Sequence, residues 1–131
     1  LSTIHTNTAW GSVARLEDMG IDPYLISSTL VLCVSQRLVR LLCPHCKKQG
    51  PDGNYEAVGC EKCYYTGYRG RRAIYEVIPV DTHLSDMIRT SSVNVEQYLA
   101  RRGITTLKQA ADGLLKSGAT SREEVLSLLM N

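Results

Sequence analysis

The sequence contains no phenylalanine and one tryptophan, so aromatic residues make up only 6% of its 131 residues. Its core must therefore be built mainly from aliphatic side chains. The longest stretch without a charged residue, residues 23–36, includes serine, threonine and glutamine. It is too polar and too short to span a bilayer, which takes about 20 apolar residues. A net charge of +2 is too small to indicate a nucleic-acid-binding surface by itself.

No signal-peptide pattern, internal repeat or low-complexity segment is found in the sequence, and its first residue is Leu1 rather than methionine. The length allows one domain or two very small ones. We expect the chain to be a piece of a larger protein. Part of any active site is then expected upstream of residue 1.

Four of the five cysteines form two C-x-x-C pairs, Cys43 with Cys46 and Cys60 with Cys63, separated by 13 residues. A loop of this length can fold back and bring four thiolates to one point. Zn²⁺ accepts four thiolates as a tetrahedron, with zinc–sulfur distances of about 2.3 Å. The spacing therefore predicts a zinc site. Because four cysteines leave no coordination position for water, we expect the site to be structural rather than catalytic.

Disulfide formation and redox chemistry are the alternative uses of these cysteines. Disulfides are typical of secreted domains, but no signal peptide is seen, and Cys33 lies in an apolar run where a small buried residue is expected. The tetrapeptide Cys43-Pro44-His45-Cys46 occurs in thioredoxin-like oxidases, where the first cysteine begins a helix whose dipole lowers its pKa. Here residues 47–54 (KKQGPDGN) follow, and they predict a loop. Redox chemistry also leaves the second pair without a role.

The pattern of apolar, capping and breaking residues predicts an α/β opening and a helical end. In the first part we expect a strand at residues 1–4, a helix over 8–19 capped by Thr6 or Asn7, a helix from Asp22-Pro23 to about Cys33, and strands over 36–42 and 72–80. Residues 66–70 between them predict a turn. In the second part we expect helices starting at Asp81 or Thr82, at Ser92 or Asn94, at Thr106 and at Ser121, the last two with capping-box sequences.

A series of short motifs runs through the chain in a fixed order. They are residues 1–7 (LSTIHTN), 15–20 (RLEDMG), 36–44 (QRLVRLLCP), the tetracysteine insert, 66–71 (TGYRGR) with 74–76 (IYE), 106–107 (TL), 112–113 (DG) and 120–125 (TSREEV). In this order they resemble the type II secretion and type IV pilus assembly ATPases, with residues 1–7 similar to the histidine box of that family. The resemblance covers nearly all of the chain.

The resemblance implies an α/β fold class: the end of a RecA-like P-loop NTPase domain, a small tetracysteine zinc-binding insert and an all-helical C-terminal subdomain. By this likeness residues 1–42 belong to the nucleotide-binding domain and residues 43–70 to the zinc-binding subdomain. Residues 71–80 would form a return strand, and residues 81–131 the helical subdomain.

The resemblance also implies a function. The parent would be a homo-hexameric ATP hydrolase that uses ATP and Mg²⁺ to power assembly of a pseudopilus or pilus. It would be cytoplasmic and held at the inner membrane by platform and anchor proteins. The family's phosphate loop and Mg²⁺-binding acidic residues are absent here, so this chain alone is expected to be inactive. The loop between the cysteine pairs is also shorter than in the group.

His5 is the candidate catalytic residue. It is expected to follow a strand and precede a capped helix, at the edge of a RecA-like sheet where nucleotide binds. By resemblance its imidazole would donate a hydrogen bond to the γ-phosphate of ATP and act as a sensor. The alternative is a histidine at the start of a helix with no role in the reaction.

Five arginines are candidates for a nucleotide or intersubunit site: Arg37, Arg40, Arg69, Arg71 and Arg72. Arginine neutralises charge on a transferring phosphoryl group, and in oligomers it can come from the neighbouring subunit. The alternative for each is a solvated surface charge. Arg37 and Arg40 fall three apart on a predicted strand and should face opposite sides.

The competing function is a non-enzymatic zinc ribbon that binds nucleic acid or protein. Tyr64, Tyr65 and Tyr68 lie among basic residues, and such tyrosines can stack on bases. The basic residues form no long stripe, however, because glutamates interrupt them. We therefore expect the tyrosines to form a small core of the zinc module, and we expect no nucleic-acid partner.

Overall fold

The computed structural model describes residues 1–92 and 94–130. In this part of the chain, six α-helices and two two-stranded sheets are divided between two units. The first unit contains Leu1–Ser35 and Glu76–Thr105, and the second contains Gln36–Tyr75 and Thr106–Asn131. Two long strands, β1 (Leu32–Leu42) and β4 (Tyr68–Pro79), pair with each other and contribute residues to both units.

The first unit is built from four short helices, the beginning of β1 and the end of β4. The helices are α1 (Gly11–Asp18), α2 (Pro23–Thr29), α3 (Thr82–Arg89) and α4 (Val95–Arg101). The buried side chains of this unit, on helices and strands alike, are almost all aliphatic, as the lack of phenylalanine requires. They are Ala9, Val13, Ile26, Cys33, Ile78, Leu84, Ile88 and Val95.

Local capping chemistry sets the start of two of these helices. The carboxylate of Asp22 accepts the N–H of Tyr24 at 2.7 Å, with Pro23 in the first helical position of α2. The carboxylate of Asp81 accepts the N–H of Leu84 at 2.8 Å at the start of α3. Both predicted caps are therefore confirmed. They could be predicted because a capping side chain binds a free N–H group only a few residues ahead of it, in the first turn of the helix.

Three expectations for the first unit are wrong. Residues 1–4 form no strand, since no ladder partner for them lies in the described residues. Helix α1 starts at Gly11, and the backbone N–H of Gly11 donates to the hydroxyl of Thr8 at 3.0 Å. Neither Thr6 nor Asn7 is therefore the cap. Helix α2 ends at Thr29, short of Cys33. Strand β1 therefore begins at Leu32 rather than residue 36, with its Cys33 side chain buried.

The second unit combines parts of the β1–β4 sheet and a smaller two-stranded sheet with two helices. It contains β2 (Lys48–Gln49), β3 (Tyr55–Glu56), a 3₁₀ turn (Glu61–Cys63), α5 (Leu107–Lys116) and α6 (Arg122–Met130). Strands β2 and β3 pair antiparallel, with Lys48 opposite Glu56. The core consists of Val39, Ile74, Leu107, Ala111, Leu114 and Val125. The longest helix in the described residues, α5, has ten residues, and no helix among them is long and apolar enough to cross a membrane.

The two predicted capping boxes differ in outcome. In α5 the box is complete: the Thr106 hydroxyl accepts the N–H of Gln109 at 3.1 Å, and the Gln109 side chain accepts the N–H of Thr106 at 3.0 Å. At α6 only half forms, because Ser121 accepts the N–H of Glu124 while the Glu124 carboxylate binds Arg40. Strand β4 also starts earlier than predicted, at Tyr68 instead of residue 72.

Candidate metal centre

The first cysteine pair lies immediately after β1. Cys43 follows the last residue of the strand, and its N–H donates to the Gly67 carbonyl at 2.9 Å. The chain then turns tightly, because the N–H groups of Cys46 and Lys47 both donate to the Cys43 carbonyl, at 3.4 and 3.1 Å. The residues after this turn form β2 rather than a helix. A redox role for the pair would need a helix start there, so the structure argues against it.

The second cysteine pair encloses the 3₁₀ turn. The Cys63 N–H donates to the Cys60 carbonyl at 3.2 Å, which closes the turn. Two sulfurs accept backbone hydrogen bonds from this region: Cys63 Sγ from the N–H groups of Cys60 (3.2 Å) and Gly67 (3.3 Å), and Cys46 Sγ from the N–H of Gly59 (3.3 Å). Hydrogen bonds of this kind favour a thiolate over a thiol.

Two of these donors are glycines for a steric reason. Gly59 and Gly67 have φ values of +117° and +79°, in the region that L side chains rarely adopt. A Cβ on Gly67 would lie 2.6 Å from the Ala57 Cβ, and a Cβ on Gly59 would lie 2.9 Å from the Tyr65 carbonyl oxygen. In the segment that carries the four cysteines (residues 43–70, the metal module), the backbone thus passes too close to neighbouring atoms at these two positions for any residue but glycine.

The four sulfurs are arranged as the ligands of one metal ion. All of them lie within 4.8 Å of one another. The Cys43–Cys60, Cys46–Cys63 and Cys60–Cys63 pairs are each 3.8 Å apart. A tetrahedron with zinc–sulfur bonds of about 2.3 Å has edges of about 3.8 Å, so the spacing fits such an ion. The same distance is nearly twice a disulfide bond, and all five cysteines are free.

The environment gives the thiols different acidities. Burial raises the pKa of Cys63, but the N–H groups of Cys60 and Gly67 outweigh that effect and lower the pKa to about 6. Burial raises the pKa of Cys46 to about 11, against the opposing effect of the Gly59 N–H. Any proton still held by the four sulfurs must leave as a metal ion binds.

The metal module is attached to the loop between α5 and α6. Lys47 Nζ donates to the Gly118 carbonyl at 2.8 Å and lies 4.6 Å from the centre of the Tyr55 ring. The Leu42 N–H donates to the Ala119 carbonyl at 2.8 Å. Gly118 must be glycine here, since its φ is +73° and a Cβ would lie 2.8 Å from the Tyr55 ring.

Comparison with known proteins identifies the chain's family. Residues 1–127 match the profile of the family described as Type II/IV secretion system protein. The chain belongs to this family. The Type II secretion system ATPase E of Vibrio cholerae is 43% identical over 96% of the chain, and the Type IV pilus assembly ATPase PilB of Myxococcus xanthus is 39% identical over 96%. The Type II secretion system protein HxcR of Pseudomonas aeruginosa is 38% identical over the same share.

This secretion-family chain spans only part of its relatives. It covers 28% of the Vibrio protein, 26% of the Myxococcus protein and 27% of the Pseudomonas protein. The resemblance noted in the sequence is thereby confirmed at the level of the family. The activities in the relatives' names belong to proteins about four times as long.

One candidate arginine of the secretion-family chain has a structural partner in the second unit. The Arg40 guanidinium donates to the Glu124 carboxylate from Nε at 2.9 Å and from Nη2 at 2.6 Å, and the Arg40 backbone N–H donates to the other carboxylate oxygen at 3.0 Å. The guanidinium also lies 4.1 Å from the centre of the Tyr68 ring, whose hydroxyl is 2.6 Å from Ser121 Oγ. Arg40 would have to leave this arrangement to reach a nucleotide.

Sequence reasoning missed Glu124, Lys47 and Gly118, which attach the metal module to the helices. Glu124 was visible only as a capping-box residue, and its partner Arg40 lies 84 positions away. The acceptor of Lys47 is a backbone carbonyl, which carries no residue-specific signal. Only Gly118 had a visible signal, as a glycine just past a predicted helix.

The remaining candidates lie on β1 and β4 and near the start of the first unit. Arg69, Arg71 and Arg72 are exposed on β4, and His5 is exposed in the first unit. Arg37 lies half-buried on β1, at a position whose neighbours 35 and 39 are buried, whereas Arg40 belongs to the exposed alternation. The opposite-side prediction for these two arginines therefore agrees with the burial pattern of the strand.

The predicted tyrosine core of the metal module is wrong for two of its three members. Tyr64 and Tyr65 are 88% and 70% exposed. Both have positive φ, 54° and 61°, at the end of the 3₁₀ turn. Tyr68 alone is half-buried. The four sulfurs, not aromatic packing, are thus the centre of this module.

Proposed function

We propose that this chain is the C-terminal part of a hexameric motor ATPase that powers assembly of a type II secretion pseudopilus or a type IV pilus. The supporting observation is the match over 96% of the chain to relatives named as secretion and pilus ATPases, of which it forms a little over a quarter. In this proposal residues 1–42 end a RecA-like nucleotide-binding domain. Residues 43–70 are the zinc-binding subdomain, 71–80 the return strand, and 81–131 the helical subdomain.

An exposed apolar surface on the first unit supports a larger parent. Val31, Leu32 and Val34 of the β1 region and Val77 of β4 are all exposed, the first by 76%. Isolated exposed apolar residues are ordinary, but several of them on two paired strands are typical of a surface that packs against other protein. We propose that the remainder of the parent, or a neighbouring subunit, covers it.

The ion in the tetracysteine site is proposed to be a structural Zn²⁺. Four thiolates at tetrahedral spacing are the ligand set that zinc prefers, and no open position remains for water. Bound zinc would hold the turn at Cys43–Cys46 against the turn at Cys60–Cys63. It would thereby fix the strand ends and the contacts of Lys47 and Leu42 with the loop before α6.

ATP and Mg²⁺ are proposed as ligands of the full-length parent, bound mainly by residues outside this chain. His5 is proposed to donate a hydrogen bond to the γ-phosphate, and its exposed position leaves the imidazole accessible. Arg69, Arg71 and Arg72 are the arginines proposed to reach the intersubunit site, since they are exposed. Arg37 remains a candidate, and Arg40 is a weaker one because it binds Glu124.

The parent is further proposed to be cytoplasmic and to work at the inner membrane through platform and anchor proteins. Assembly machines of this kind need a subunit that converts ATP hydrolysis into movement, and the names of the relatives place them in such machines. No nucleic-acid partner is proposed.

The test compares ATP turnover by the full-length parent, its His5→Ala variant and the isolated 131-residue chain. We expect the variant to lose at least about tenfold in kcat with little change in nucleotide affinity, the pattern of an interaction made mainly in the transition state. The isolated chain should show no turnover above background. Unchanged turnover by a correctly assembled His5→Ala ring would contradict the proposed role of His5, and turnover by the isolated chain would contradict the assignment of the phosphate loop to the missing part.

A further inference from the structure

A buried carboxylate on β4 holds the segment that follows His5. Glu76 lies in the first unit and is only 6% exposed. Its Oε1 accepts the N–H of Ala9 at 2.9 Å, across 67 positions of sequence. Ala9 itself is 1% exposed. The bond therefore joins two buried groups, one on a strand and one in the segment before α1.

Burying a carboxylate is costly unless hydrogen bonds compensate it. The positions two before and two after Glu76 on β4 are Ile74 and Ile78, both buried. An aliphatic side chain at position 76 would fit this alternation at a lower cost of desolvation. The hydrogen bond from Ala9 is one interaction that offsets the cost of burying this carboxylate.

Ala9 is fixed from its other side as well. Its carbonyl accepts the Ser12 hydroxyl at 2.7 Å and the Ser12 N–H at 3.3 Å. The residues just before it form a bend, in which the Thr6 hydroxyl donates to the Thr8 carbonyl at 2.9 Å. His5 lies four residues ahead of Ala9 in this exposed segment. Anchoring Ala9 therefore limits how far the backbone at His5 can move.

We propose that Glu76 is a positioning residue for His5: by holding the Ala9 N–H it restrains the segment from His5 to Ala9, and so the reach of the imidazole, relative to β4. The inference rests on the proposed role of His5 as a γ-phosphate sensor. Glu76 does not touch the nucleotide. Catalytic geometry is sensitive to displacements of about 1 Å, so a change in the reach of residue 76 should be visible in kcat.

The experiment uses three substitutions in the full-length parent. Glu76→Gln keeps the length and the acceptor oxygen but removes the charge. Glu76→Asp keeps the charge but shortens the side chain by one methylene, and Glu76→Met keeps the length without an acceptor. Asp81→Ala is the matched control, because it removes another carboxylate that accepts a backbone N–H in the same unit, at the start of α3.

We expect Glu76→Gln to keep kcat within about threefold of the parent, while Glu76→Asp and Glu76→Met lower kcat at least about tenfold with KM for ATP changed less than about twofold. Asp81→Ala should lower the thermal unfolding midpoint but not kcat. In the His5→Ala background the Glu76→Asp and Glu76→Met effects should disappear, because a residue that acts through His5 has nothing left to position.

Three results would overturn the proposal. An impaired Gln variant beside an active Asp variant would show that the charge matters rather than the reach. An unchanged effect in the His5→Ala background would show that Glu76 acts independently of His5. Loss of kcat only in proportion to lost ring assembly, as for an unstable Asp81→Ala protein, would indicate a purely structural role.

The first of these results needs only the Gln and Asp variants, so the proposal can still fail if the Met variant does not assemble. His5→Ala alone tests the proposed function, so the two failures are distinguishable.

Discussion

Substituting Gly67 by alanine should damage the metal module more than any conformational preference alone predicts. Gly67 has a φ of +79°, and its N–H donates to Cys63 Sγ while its carbonyl accepts the Cys43 N–H. An added Cβ would lie 2.6 Å from the Ala57 Cβ, about 1 Å closer than two carbons normally approach. The substitution therefore adds a backbone strain and a steric clash at a position bonded to both cysteine pairs.

A substitution at Gly53 separates the cost of positive φ from the cost of the steric clash. This glycine lies in the loop between the cysteine pairs and has a φ of +84°, but nothing lies within 4 Å of its added Cβ. Alanine with positive φ costs about 1–2 kcal/mol, offset by about 0.4–1 kcal/mol from the less flexible unfolded chain. Gly53→Ala should therefore cost about 1 kcal/mol or less. Gly67→Ala adds an overpacking cost of about 1–3 kcal/mol, for a total of about 1–4 kcal/mol with a middle value of about 2.5 kcal/mol.

Urea unfolding of the 131-residue chain measures the free energies, and zinc release to a chelator with a chromogenic indicator measures the integrity of the site. We expect a lower unfolding midpoint and at least about tenfold faster zinc release for Gly67→Ala, since 1.4 kcal/mol corresponds to a factor of ten. Gly53→Ala should release zinc at nearly the unsubstituted rate. If the two variants differ by less than about 0.5 kcal/mol in stability and release zinc equally fast, the close approach at Gly67 does not control the module.

Protein purified without added metal should contain about one zinc per chain by elemental analysis. The Cys60→Ser variant should lose most of this zinc, and its insert should lose protease resistance. Less than a tenth of an equivalent of zinc in the unsubstituted protein, with disulfides detected by mass spectrometry, would contradict the site. Although burial raises the pKa of Glu124, the hydrogen bonds from Arg40 lower it more, so its stabilising effect should be present above the ordinary glutamate pKa of about 4.3 and be lost as pH falls through the folded-state pKa. Glu124→Gln should therefore cost about 1–3 kcal/mol at pH 7, and urea midpoints measured against pH should converge below about pH 4; a constant difference would refute the ion pair. The isolated chain should bind oligonucleotides no better than about 10⁻⁴ M near physiological salt, whereas submicromolar, salt-sensitive binding abolished by Arg71→Glu would favour the nucleic-acid ribbon.

The parts of the fold predicted from sequence are those whose cause is local. A cap such as Asp81 or the Thr106–Gln109 box acts within a few residues, so its chemistry is legible in the sequence. The same holds for two C-x-x-C turns, whose ligand type and spacing restrict what they can do. These features were found in the structure where they were expected.

The errors arose where distant residues decide. The Ser121–Glu124 box is incomplete because Arg40, far away in the sequence, takes the Glu124 carboxylate. The helix predicted to reach about Cys33 ends at Thr29, because pairing of β1 with β4 makes the chain a strand from Leu32. Tyr64 and Tyr65 are exposed in a stretch of positive φ, a backbone conformation that composition does not reveal.

The division of each unit into two separate stretches of sequence has a consequence during synthesis on the ribosome. Residues 1–35 lack their packing partners on the second stretch of the unit until residues 76–105 have emerged. The metal module can bring its four sulfurs together once Cys63 is available, but the carbonyls of Gly118 and Ala119 that receive Lys47 and Leu42 are made some 55 residues later. Domains generally fold as units when their chain is complete. Early metal capture would thus protect the cysteines during a delay that the connectivity of the chain makes unavoidable.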